Sequence, residues 1–313
     1  MIRIGSRGSA LARWQADHIA AELRDRDYQV SIEILVTTGD RVQHAPFMQV
    51  GTKGMFTKEI EEALADQRID LAVHSLKDLP TELSEEFTIA AIPKRADARD
   101  AFVSLRHENF AALPSRAVVG TSSLRRQAQL RALRADLDVR ELRGNVDTRL
   151  RKLHQGQYDA IILAAAGLDR LCLAADVKEL FSPAQMCPAA GQGALAIECR
   201  ANDKATLAAV SDLDDAAAHF AVLVERAALA TLGGGCHLPV GVYCEPTNNG
   251  WTVTGVVARP DGSQILREQM ELHQERASAE DAGRVMADRL LTRGAAEFLA
   301  AAETAPSTGT PGR

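Results

Sequence analysis

Apolar and polar positions follow two different periods along the first third of the chain. Short apolar runs predict strands at 2–5, 30–37 and 70–74, and runs with a period near 3.6 predict helices at 10–23 and 58–64. Strands that alternate with helices are typical of βαβ units, whose strands lie parallel in one sheet. The first third is therefore predicted to be an α/β lobe.

The same alternation returns in a second block further along the chain. Strands are predicted at 117–120, 139–142 and 159–164, with helices at 124–133 and 146–155 between them. This block is predicted to be a second α/β lobe with a mainly parallel sheet.

Two pairs of segments indicate that the lobes are related copies. The segment Ile4–Ala16 resembles Val119–Gln129, since each contains a strand, a turn with Gly and Ser or Thr, and a helix carrying Arg, Gln and Ala. The segment Asp70–Leu79 aligns without gaps on Asp159–Leu168. Because the two pairs occur in the same order, they favour a duplicated lobe over chance similarity.

One segment of the first block has no clear period. It spans 37–56 and reads TTGDRVQHAPFMQVGTKGMF. A stretch of this length without regular structure is typical of a functional loop in an α/β domain, and such loops often cover ligands. We therefore predict a mobile loop here.

The pattern changes in the last third of the chain to a helix followed by consecutive strands. A helix is predicted at 216–232, strands at 240–245, 251–258 and 264–272, and a closing helix at 279–301. The Asp-Gly pair between the last two strands favours a hairpin, because these residues tolerate positive φ. The elements predict a small α+β unit with an antiparallel sheet.

Composition and charge limit the classes of protein that fit the chain. Of its 313 residues, 46% are hydrophobic and 25% charged, as in ordinary globular proteins, and the polar end at 304–313 is predicted to be disordered. A net charge of −6 argues against a nucleic-acid or acidic-membrane binder, so any anion site is expected to be local. The first residues lack a signal-peptide pattern, and no segment has the roughly 18 apolar residues of a membrane span, so a cytoplasmic location is expected.

The spacing of cysteine and histidine favours organic over metal chemistry. The five cysteines are odd in number and show no CxxC spacing, and the eight histidines show no metal-binding pattern, so no metal is expected. Cys172 and Cys199 are expected to pack in apolar or helical surroundings. Cys236 differs because it follows three glycines and precedes Pro239. An unobstructed thiol near cations is a good nucleophile, although a buried structural thiol is the alternative.

Arginines follow the carboxyl ends of several predicted strands. Arg7 lies in the turn after the first strand, and Arg125 and Arg126 open the matching helix of the second block. Arg143 follows another strand, with Arg149 in the helix behind it. Because the carboxyl ends of strands in an open α/β sheet share one edge, these side chains are expected to converge on one crevice. Like charges repel, so the cluster indicates a polyanionic ligand, whereas each arginine taken singly also fits a solvated surface position.

The segment HSLKDLP places Lys77 and Asp78 at the same edge of the sheet. An aspartate among arginines stays ionised, so Asp78 is able to stabilise positive charge on a substrate nitrogen or to transfer a proton. A turn-forming aspartate before Leu-Pro is the alternative. The segment GQGALAIE around Gln192 fits neither a P-loop nor a dinucleotide pattern, and we interpret it as chain that returns from the second lobe to the first.

Taken together and in their order, these motifs resemble the porphobilinogen deaminase family, also called hydroxymethylbilane synthases. The matching segments are IGSRGSALARWQA, TTGDR, GTKGMFTKEIEEAL, DLAVHSLKDLP, RDAFVS, VGTSSLRRQAQL, LRGNVDTRL, YDAIILAAAGLDRL, GQGALAIECR and GGGCHLPVG. They run from near residue 1 to about 241, and the ordered set is far more specific than any one motif.

The resemblance implies the fold and the reaction. Two lobes like those of periplasmic binding proteins, with mainly parallel sheets, would be joined to a small α+β C-terminal domain with an antiparallel sheet. Domain 1 would comprise 1–95 and 193–213, domain 2 would comprise 96–192, and domain 3 would comprise 214–303. The family is a transferase of tetrapyrrole, and so of haem and porphyrin, biosynthesis. It condenses four porphobilinogen molecules head to tail into hydroxymethylbilane and releases ammonia each time. A monomer without nucleic-acid or membrane partners is expected.

The resemblance also implies a cofactor and a set of site residues. A dipyrromethane, built from two porphobilinogens, would be joined through a thioether to Cys236. Asp78 would be the catalytic carboxylate that stabilises pyrrole nitrogens and the azafulvene-type cation left when ammonia departs. The cofactor would be bound by Lys77, Asp78, Ser123, Arg125 and Arg126. The incoming substrate or the growing chain would be bound by Arg7, Ser9, Gln15, Arg143, Arg149 and Arg170.

The predicted mobile loop departs from the family pattern at two positions. Lys53 and Phe56 match residues that approach the site in the family. Thr52 stands where a second glycine is usual, and Gln49 stands where a lysine often occurs. The mobility of this loop and its positive charge are therefore expected to differ from those of the family.

Two other functions fit parts of the pattern. A bilobed protein that binds a small anion without catalysis would use the same lobes and arginines. A thiol enzyme would use Cys236 as a turnover nucleophile, with His237 as the only sequence-adjacent base. In the deaminase interpretation, the bond to Cys236 instead persists through turnover.

Overall fold

The structure, a computed structural model, describes residues 1–37, 57–235, 238–273 and 278–304, with side chains up to residue 302. Some of the sequence predictions lie outside these ranges. They concern the loop segment 38–56 with Gln49, Thr52, Lys53 and Phe56, the pair Cys236 and His237, and the C-terminal end after Thr304.

Strands and helices alternate through the first two thirds of the chain, and consecutive strands follow in the last third. The strands, numbered in chain order, are β1 (Ile2–Arg7), β2 (Val30–Leu35), β3 (Leu71–Ser75), β4 (Phe87–Ala91), β5 (Asp100–Val103), β6 (Val118–Gly120), β7 (Asp138–Arg140), β8 (Ala160–Ala164), β9 (Val177–Leu180), β10 (Leu195–Arg200), β11 (Val240–Thr247), β12 (Gly250–Ala258) and β13 (Ile265–His273). The α-helices are α1 (Ala10–Arg24), α2 (Lys58–Ala65), α3 (Leu124–Leu133), α4 (Val146–His154), α5 (Ala165–Arg170), α6 (Lys204–Val210), α7 (Ala216–Thr231), α8 (Ala279–Thr292) and α9 (Ala295–Thr304).

The two α/β lobes have the same sheet topology. The first sheet runs β2–β1–β3–β10–β4, and the second runs β7–β6–β8–β5–β9. In each sheet the first three strands are parallel, and the fourth is antiparallel to both of its neighbours. The predicted fold of two lobes with mainly parallel sheets is confirmed.

The similarity of the lobes extends to the register of single residues. Ile4 pairs with Leu71 in the first sheet, and Val119 pairs with Ala160 in the second. These pairs occupy equivalent positions in the two segment alignments made from the sequence. A β-bulge also interrupts the fourth strand of each sheet at the equivalent place. The structure therefore supports the predicted duplication of one lobe.

Two segments connect the lobes and lie side by side. The chain leaves the first lobe through 92–99 and returns through 181–194. Ala96 donates its backbone N–H to the carbonyl of Gly193 at 3.2 Å. Gly193 has a φ of +87°, and a Cβ atom there would lie 2.5 Å from the carbonyl oxygen of Ala96, so this close approach requires glycine. The return of the chain around Gln192 agrees with the sequence interpretation, while the domain boundaries themselves stay predictions.

The last third of the chain forms an antiparallel sheet with the order β11–β12–β13. Helices α7, α8 and α9 pack against it around a core that includes Val224, Val253, Met286 and Leu290. The predicted α+β unit is confirmed. The prediction of one continuous closing helix was wrong, because Gly294 has a φ of +95° and separates α8 from α9.

Candidate active site

A cleft between the two lobes lies beside the carboxyl ends of their central strands. Positively charged side chains from both lobes line it. Lys77 follows β3 of the first lobe, and Arg126, Arg149 and Arg170 lie in α3, α4 and α5 of the second. The lining also includes backbone of the connecting segment at Gly191 and Gly193. The structure thus brings together four of the residues that the sequence predicted for anion binding.

Polar residues at the strand ends position the helices that face the cleft. Ser9 begins α1, and its Oγ accepts the backbone N–H of Ala12 at 3.3 Å. Ser123 begins α3 in the same way and accepts the N–H of Arg126 at 3.4 Å. Such caps satisfy backbone donors that a helix leaves unpaired at its start. These contacts give Ser9 and Ser123 structural roles, and their predicted contacts with ligands stay predictions.

Gln15 lies on the buried face of α1. Its side-chain amide donates to the Ser75 hydroxyl at 2.7 Å, which ties α1 to the end of β3. In this structure Gln15 therefore positions the strand that leads to Lys77, and its predicted contact with substrate stays a prediction.

A buried carboxylate that the sequence did not predict binds two of the clustered arginines. Asp100 opens β5 and is fully buried. Arg125 donates Nη1 to it at 2.7 Å, and Arg126 donates Nε at 3.0 Å and Nη2 at 2.7 Å. Burial alone would raise the pKa of Asp100, but the charges and hydrogen bonds of Arg125 and Arg126 hold it well below its usual range. Asp100 therefore stays ionised and compensates one of these two positive charges.

Arg125 and Arg126 differ in what else they contact. Arg125 is 4% exposed, donates Nη1 to the carbonyl of Cys187 at 2.6 Å and does not line the cleft. Arg126 lines the cleft and also donates to the carbonyl of Ile162 at 3.1 Å. Asp100 carries one negative charge against the two positive charges of Arg125 and Arg126, so the pair keeps a net positive charge, which is compatible with the predicted polyanionic ligand. The predicted role of Arg125 in binding the cofactor stays a prediction.

Arg149 and Arg170 are the cleft arginines without a carboxylate partner in the described part of the chain. Arg149 donates Nε to the Gly144 carbonyl at 2.7 Å, and Arg170 donates Nη2 to the Gly193 carbonyl at 2.7 Å. Burial lowers the pKa of each from 12.5 to about 10, and the charge of Arg126 contributes at Arg149. Both groups stay cationic at neutral pH. Their positive charge is therefore available to an anionic ligand.

Lys77 and Asp78 form a short 3-10 turn after β3. The turn is fixed by a hydrogen bond from the backbone N–H of Leu76 to the carbonyl of Ala194 at 3.1 Å. Lys77 is half-buried, and burial lowers its pKa from 10.5 to about 8, with Asp78 opposing this shift. Asp78 is exposed, and its charge also acts on Arg126 and Arg149. Asp78 itself is not among the residues that line the cleft, but its accessible carboxylate lies close enough to act on the cations there.

Arg7 and Arg143 are not among the residues that line the cleft. Arg7 ends β1 in register with Leu35 and is half-buried. Arg143 donates Nε to the carboxylate of Glu141 at 2.7 Å. The roles of Arg7 and Arg143 in binding substrate stay predictions.

The third unit contacts the segment that follows Asp78. Arg226 of α7 donates to the carbonyls of Leu79 at 3.3 Å, Pro80 at 2.6 Å and Thr81 at 3.0 Å. A Cβ atom built on Gly234 would lie 2.8 Å from the Thr81 hydroxyl oxygen. The glycine turn that leads towards Cys236 therefore packs against the same segment, although Cys236 itself lies outside the described residues.

The described cysteines fall into two groups. Cys187, Cys199 and Cys244 are buried, and burial raises the pKa of the first two thiols to about 12 and about 11, and that of Cys244 still further. They are expected to be unreactive. Cys172 is exposed, so the expectation that it packs in the interior was wrong. It lies two residues after the end of α5 with a φ of +56°, and Leu173 packs against the core instead.

Two features are absent from the residues that the structure describes. No group of three or more His, Cys, Asp or Glu side chains there is arranged to hold a metal ion. No helix in the same residues is both long enough and apolar enough to cross a membrane.

Comparisons with known proteins cover nearly the whole chain. Residues 2–208 match the family described as "Porphobilinogen deaminase, dipyromethane cofactor binding domain", and residues 219–292 match "Porphobilinogen deaminase, C-terminal domain". A porphobilinogen deaminase of Thiobacillus denitrificans is 47% identical over 300 residues, which cover 95% of this chain and 97% of the relative. One of Chromobacterium violaceum is 47% identical over 308 residues, which cover 97% and 99%.

Solved structures of lower similarity were also found. A periplasmic substrate-binding protein of an ABC transporter from Coxiella burnetii is 15% identical with a TM-score of 0.43, over 70% of this chain and 94% of that protein. A nutrient-binding protein from Burkholderia cenocepacia bound to methionine is 13% identical with a TM-score of 0.42, over 67% and 90%. The two family matches and the close relatives show that the chain belongs to the porphobilinogen deaminase family.

Proposed function

We propose that this protein is a transferase that condenses four porphobilinogen molecules head to tail into hydroxymethylbilane and releases one ammonia at each step. One observation carries the proposal beyond family membership. Arg149 and Arg170, without carboxylate partners in the described part of the chain, stand with Lys77 and Arg126 in a cleft beside the exposed carboxylate of Asp78. A cleft that combines free positive charge with one accessible carboxylate suits a substrate that carries carboxylates and develops positive charge.

The charge of the cleft fits the chemistry of both substrate and cofactor. Porphobilinogen carries an acetate and a propionate, and a dipyrromethane carries two of each. Guanidinium groups bind carboxylates through two parallel hydrogen bonds, so Arg149 and Arg170 suit the substrate. Lys77 and Arg126 would hold carboxylates of the cofactor, and Cys236 would anchor it. Support for this anchor comes from the contact between the turn at Gly234 and Thr81, close in sequence to Asp78. When bound, the dipyrromethane supplies the pyrrole carbon from which the product chain grows.

Asp78 stabilises the substrate as its carbon–nitrogen bond breaks. Positive charge then develops on the substrate pyrrole while the amine leaves as ammonia. A fixed carboxylate next to that charge lowers the barrier, because it is already in place before the reaction. The Asp78 carboxylate acts electrostatically on Lys77, Arg126 and Arg149, so it lies close to the cations that would hold the substrate and the cofactor.

The ratio of products tests the proposed reaction. The purified holoenzyme is mixed with porphobilinogen, and ammonia and hydroxymethylbilane are measured together. The proposal predicts four ammonia molecules for each hydroxymethylbilane. Saturable binding of porphobilinogen without any release of ammonia would instead favour the anion-binding protein.

Alkylation separates the deaminase from a thiol enzyme. The exposed Cys172 is first replaced in a Cys172→Ser variant so that its reaction does not obscure the result. Because the anchoring sulfur is already bonded in the holoenzyme, we expect alkylating reagents to leave activity intact. Rapid inactivation together with an alkyl group on Cys236 would favour the thiol enzyme.

The proposal includes a monomer that acts in the cytoplasm, with porphobilinogen and the growing polypyrrole as its ligands. Light scattering coupled to gel filtration measures the molar mass in solution. A mass near that of one chain would support the monomer, and twice that mass would exclude it.

A further inference from the structure

Trp14 lies where α1 of the first lobe meets α5 of the second. The guanidinium carbon of Arg170 is 5.7 Å from the centroid of the Trp14 ring. One turn earlier, the side chain of Leu11 lies 3.8 Å from the position of a Cβ atom on Gly167. Trp14 therefore belongs to a contact between the lobes at the side of the cleft.

The orientation of the indole is fixed from its own helix. His18 follows Trp14 by one turn of α1, and the two rings stack with centroids 5.1 Å apart and an angle of 16° between their planes. Trp14 is half-buried. The ring is thus a preformed flat surface for the guanidinium of Arg170.

The protein holds two arginines of the cleft by different means. Asp100 holds Arg126 through two hydrogen bonds and, shared with Arg125, offsets part of its charge. The contacts of Arg170 are the face of Trp14 and one hydrogen bond to the Gly193 carbonyl, with no carboxylate in the described part of the chain. An aromatic ring attracts a cation through its quadrupole and leaves the formal charge intact. Because a guanidinium has five N–H donors, those of Arg170 that remain are available to a carboxylate.

We infer that Trp14 is a positioning residue for substrate binding, which holds Arg170 in the cleft without neutralising it. The inference rests on the proposed function, in which Arg170 binds a carboxylate of porphobilinogen. It adds Trp14 of the first lobe as a support for a substrate-binding arginine of the second lobe. Without the ring, Arg170 would keep its positive charge but would be less well ordered. Substrate binding would therefore weaken, while the groups that take part in the reaction would stay unchanged.

Steady-state kinetics of three variants test this role. Trp14→Leu is expected to raise the KM for porphobilinogen by about three- to tenfold and to change kcat by less than about twofold, as loss of one cation–π contact predicts. Trp14→Phe keeps an aromatic face and is expected to return KM to within about twofold of the wild type. Trp251→Phe is the matched control, because that tryptophan packs against Phe220 in the third unit and is not among the residues that line the cleft.

Fluorescence gives a readout that does not depend on turnover. Since the chain has two tryptophans, the Trp251→Phe holoenzyme carries Trp14 as its only indole. Addition of porphobilinogen is expected to change the emission of Trp14, with half-saturation near the KM. The change should be lost when Arg170→Gln is added to the same background, because the substrate then has no group through which to disturb the ring.

Several outcomes would overturn the inference. The first is a KM for porphobilinogen that is unchanged in Trp14→Leu, and the second is a KM that stays raised in Trp14→Phe. The third is an emission of Trp14 that does not change when porphobilinogen is added to a Trp251→Phe enzyme that turns it over. A wild-type protein that releases no ammonia would instead remove the proposed function on which the inference rests. The two failures are therefore distinguishable.

Discussion

At the scale of single residues, burial determines what each of the two aspartates near the arginines does. Asp100 has no exposed surface, and its carboxylate is bonded by Arg125 and Arg126. Asp78 is exposed at the end of β3, and its charge acts on the cations of the cleft. A carboxylate whose hydrogen bonds are all made with protein groups has a structural role, whereas an accessible carboxylate is able to contact a substrate.

Asp78→Asn keeps the size of the side chain and removes its charge. We expect kcat to fall by about a hundredfold or more, because a preorganised charge next to the reacting atoms is lost. The melting temperature should change little, since Asp78 is exposed. The measurement is ammonia release at saturating porphobilinogen, with Glu82→Gln as a control for an exposed acid on the same segment. Near-normal turnover by Asp78→Asn would remove this residue from the mechanism.

Lys77 predicts a pH dependence of cofactor acquisition. Its folded-state pKa of about 8 lies below the ordinary value of 10.5, so it loses its charge as the pH rises through about 8. Between about pH 8 and pH 10.5 the unfolded chain binds more protons at this lysine than the folded protein does, so Lys77 makes the folded state more stable as the pH rises. Over the same range the Lys77 side chain loses its attraction for carboxylates, because it loses its charge.

Apoprotein made without porphobilinogen allows this dependence to be measured. We expect the rate of covalent cofactor acquisition, followed by intact mass, to fall as the pH rises through about 8. Lys77→Arg should move this fall to higher pH, because arginine keeps its proton. Lys94→Arg, an exposed lysine, should keep the wild-type profile. An identical profile in Lys77→Arg would show that another group controls the step.

At the scale of elements, hydrophobic period identified the long helices and the three parallel strands of each lobe, but it did not identify β5, which lies inside its sheet, or the short helices α5 and α6. Helix α3 was predicted at the residues where it is observed. The edge strands β4 and β9 were not predicted, because they are short and lie at the ends of their sheets with partly exposed residues that give no clear alternation. Their positions depend on strand pairing across the sheet, which local sequence does not specify.

The residues of the candidate site, like the strands and helices, were predicted from the sequence in part. Lys77 and Arg126 follow strand ends, and parallel topology brings such positions together. Arg149 lies in the helix behind a strand, and Arg170, at the end of α5, was predicted from the family resemblance alone. Asp100 was missed because a carboxylate that opens an apolar strand gives no local sign of burial. The available signal was its place in the RDAFVS segment, which matched the family motif but was given no role.

The duplicated lobes provide an internal control for one buried polar pair. His74 on β3 contacts Glu198 on β10 at 2.7 Å, and both are buried. The equivalent positions of the second lobe are Leu163 and Val103, which pack in its apolar core. The same backbone positions therefore accommodate an apolar pair of side chains.

Replacing the polar pair with its apolar counterpart tests this equivalence. The double variant His74→Leu with Glu198→Val is expected to match or exceed the wild type in free energy of unfolding, by up to about 4 kcal/mol. His74→Leu alone should cost about 3–5 kcal/mol, since it leaves a buried carboxylate without its partner. Urea denaturation measures both. A double variant less stable than His74→Leu alone would contradict the equivalence.

At the scale of the whole molecule, one buried carboxylate connects the third unit to both segments between the lobes. Glu225 of α7 accepts hydrogen bonds from Arg95 at 2.7 and 3.0 Å and from the backbone N–H of Gly191 at 2.7 Å. It also accepts the backbone N–H of Cys244 on β11 at 2.8 Å. The unit that carries Cys236 is thereby fixed to the connection between the lobes rather than to one lobe alone.

Glu225→Gln removes the counter-charge of a buried arginine. We expect the free energy of unfolding to fall by about 3–5 kcal/mol, because Arg95 keeps its charge without compensation. Glu297→Gln is the matched control, since Glu297 is exposed, lies 3.9 Å from Arg259 and should contribute less than about 1 kcal/mol. The measurement is urea denaturation of both variants. Equal loss in the two variants would show that the buried contact has no special role.

The central claim is that Cys236 carries a cofactor made from the substrate. Formation of the thioether joins sulfur to carbon, breaks a carbon–nitrogen bond and releases ammonia. The intact mass of active protein should therefore exceed the mass of the sequence by two porphobilinogens less two ammonia molecules, and Cys236→Ser should have the mass of its sequence and no turnover. An active wild-type protein whose mass equals that of the sequence would contradict the account.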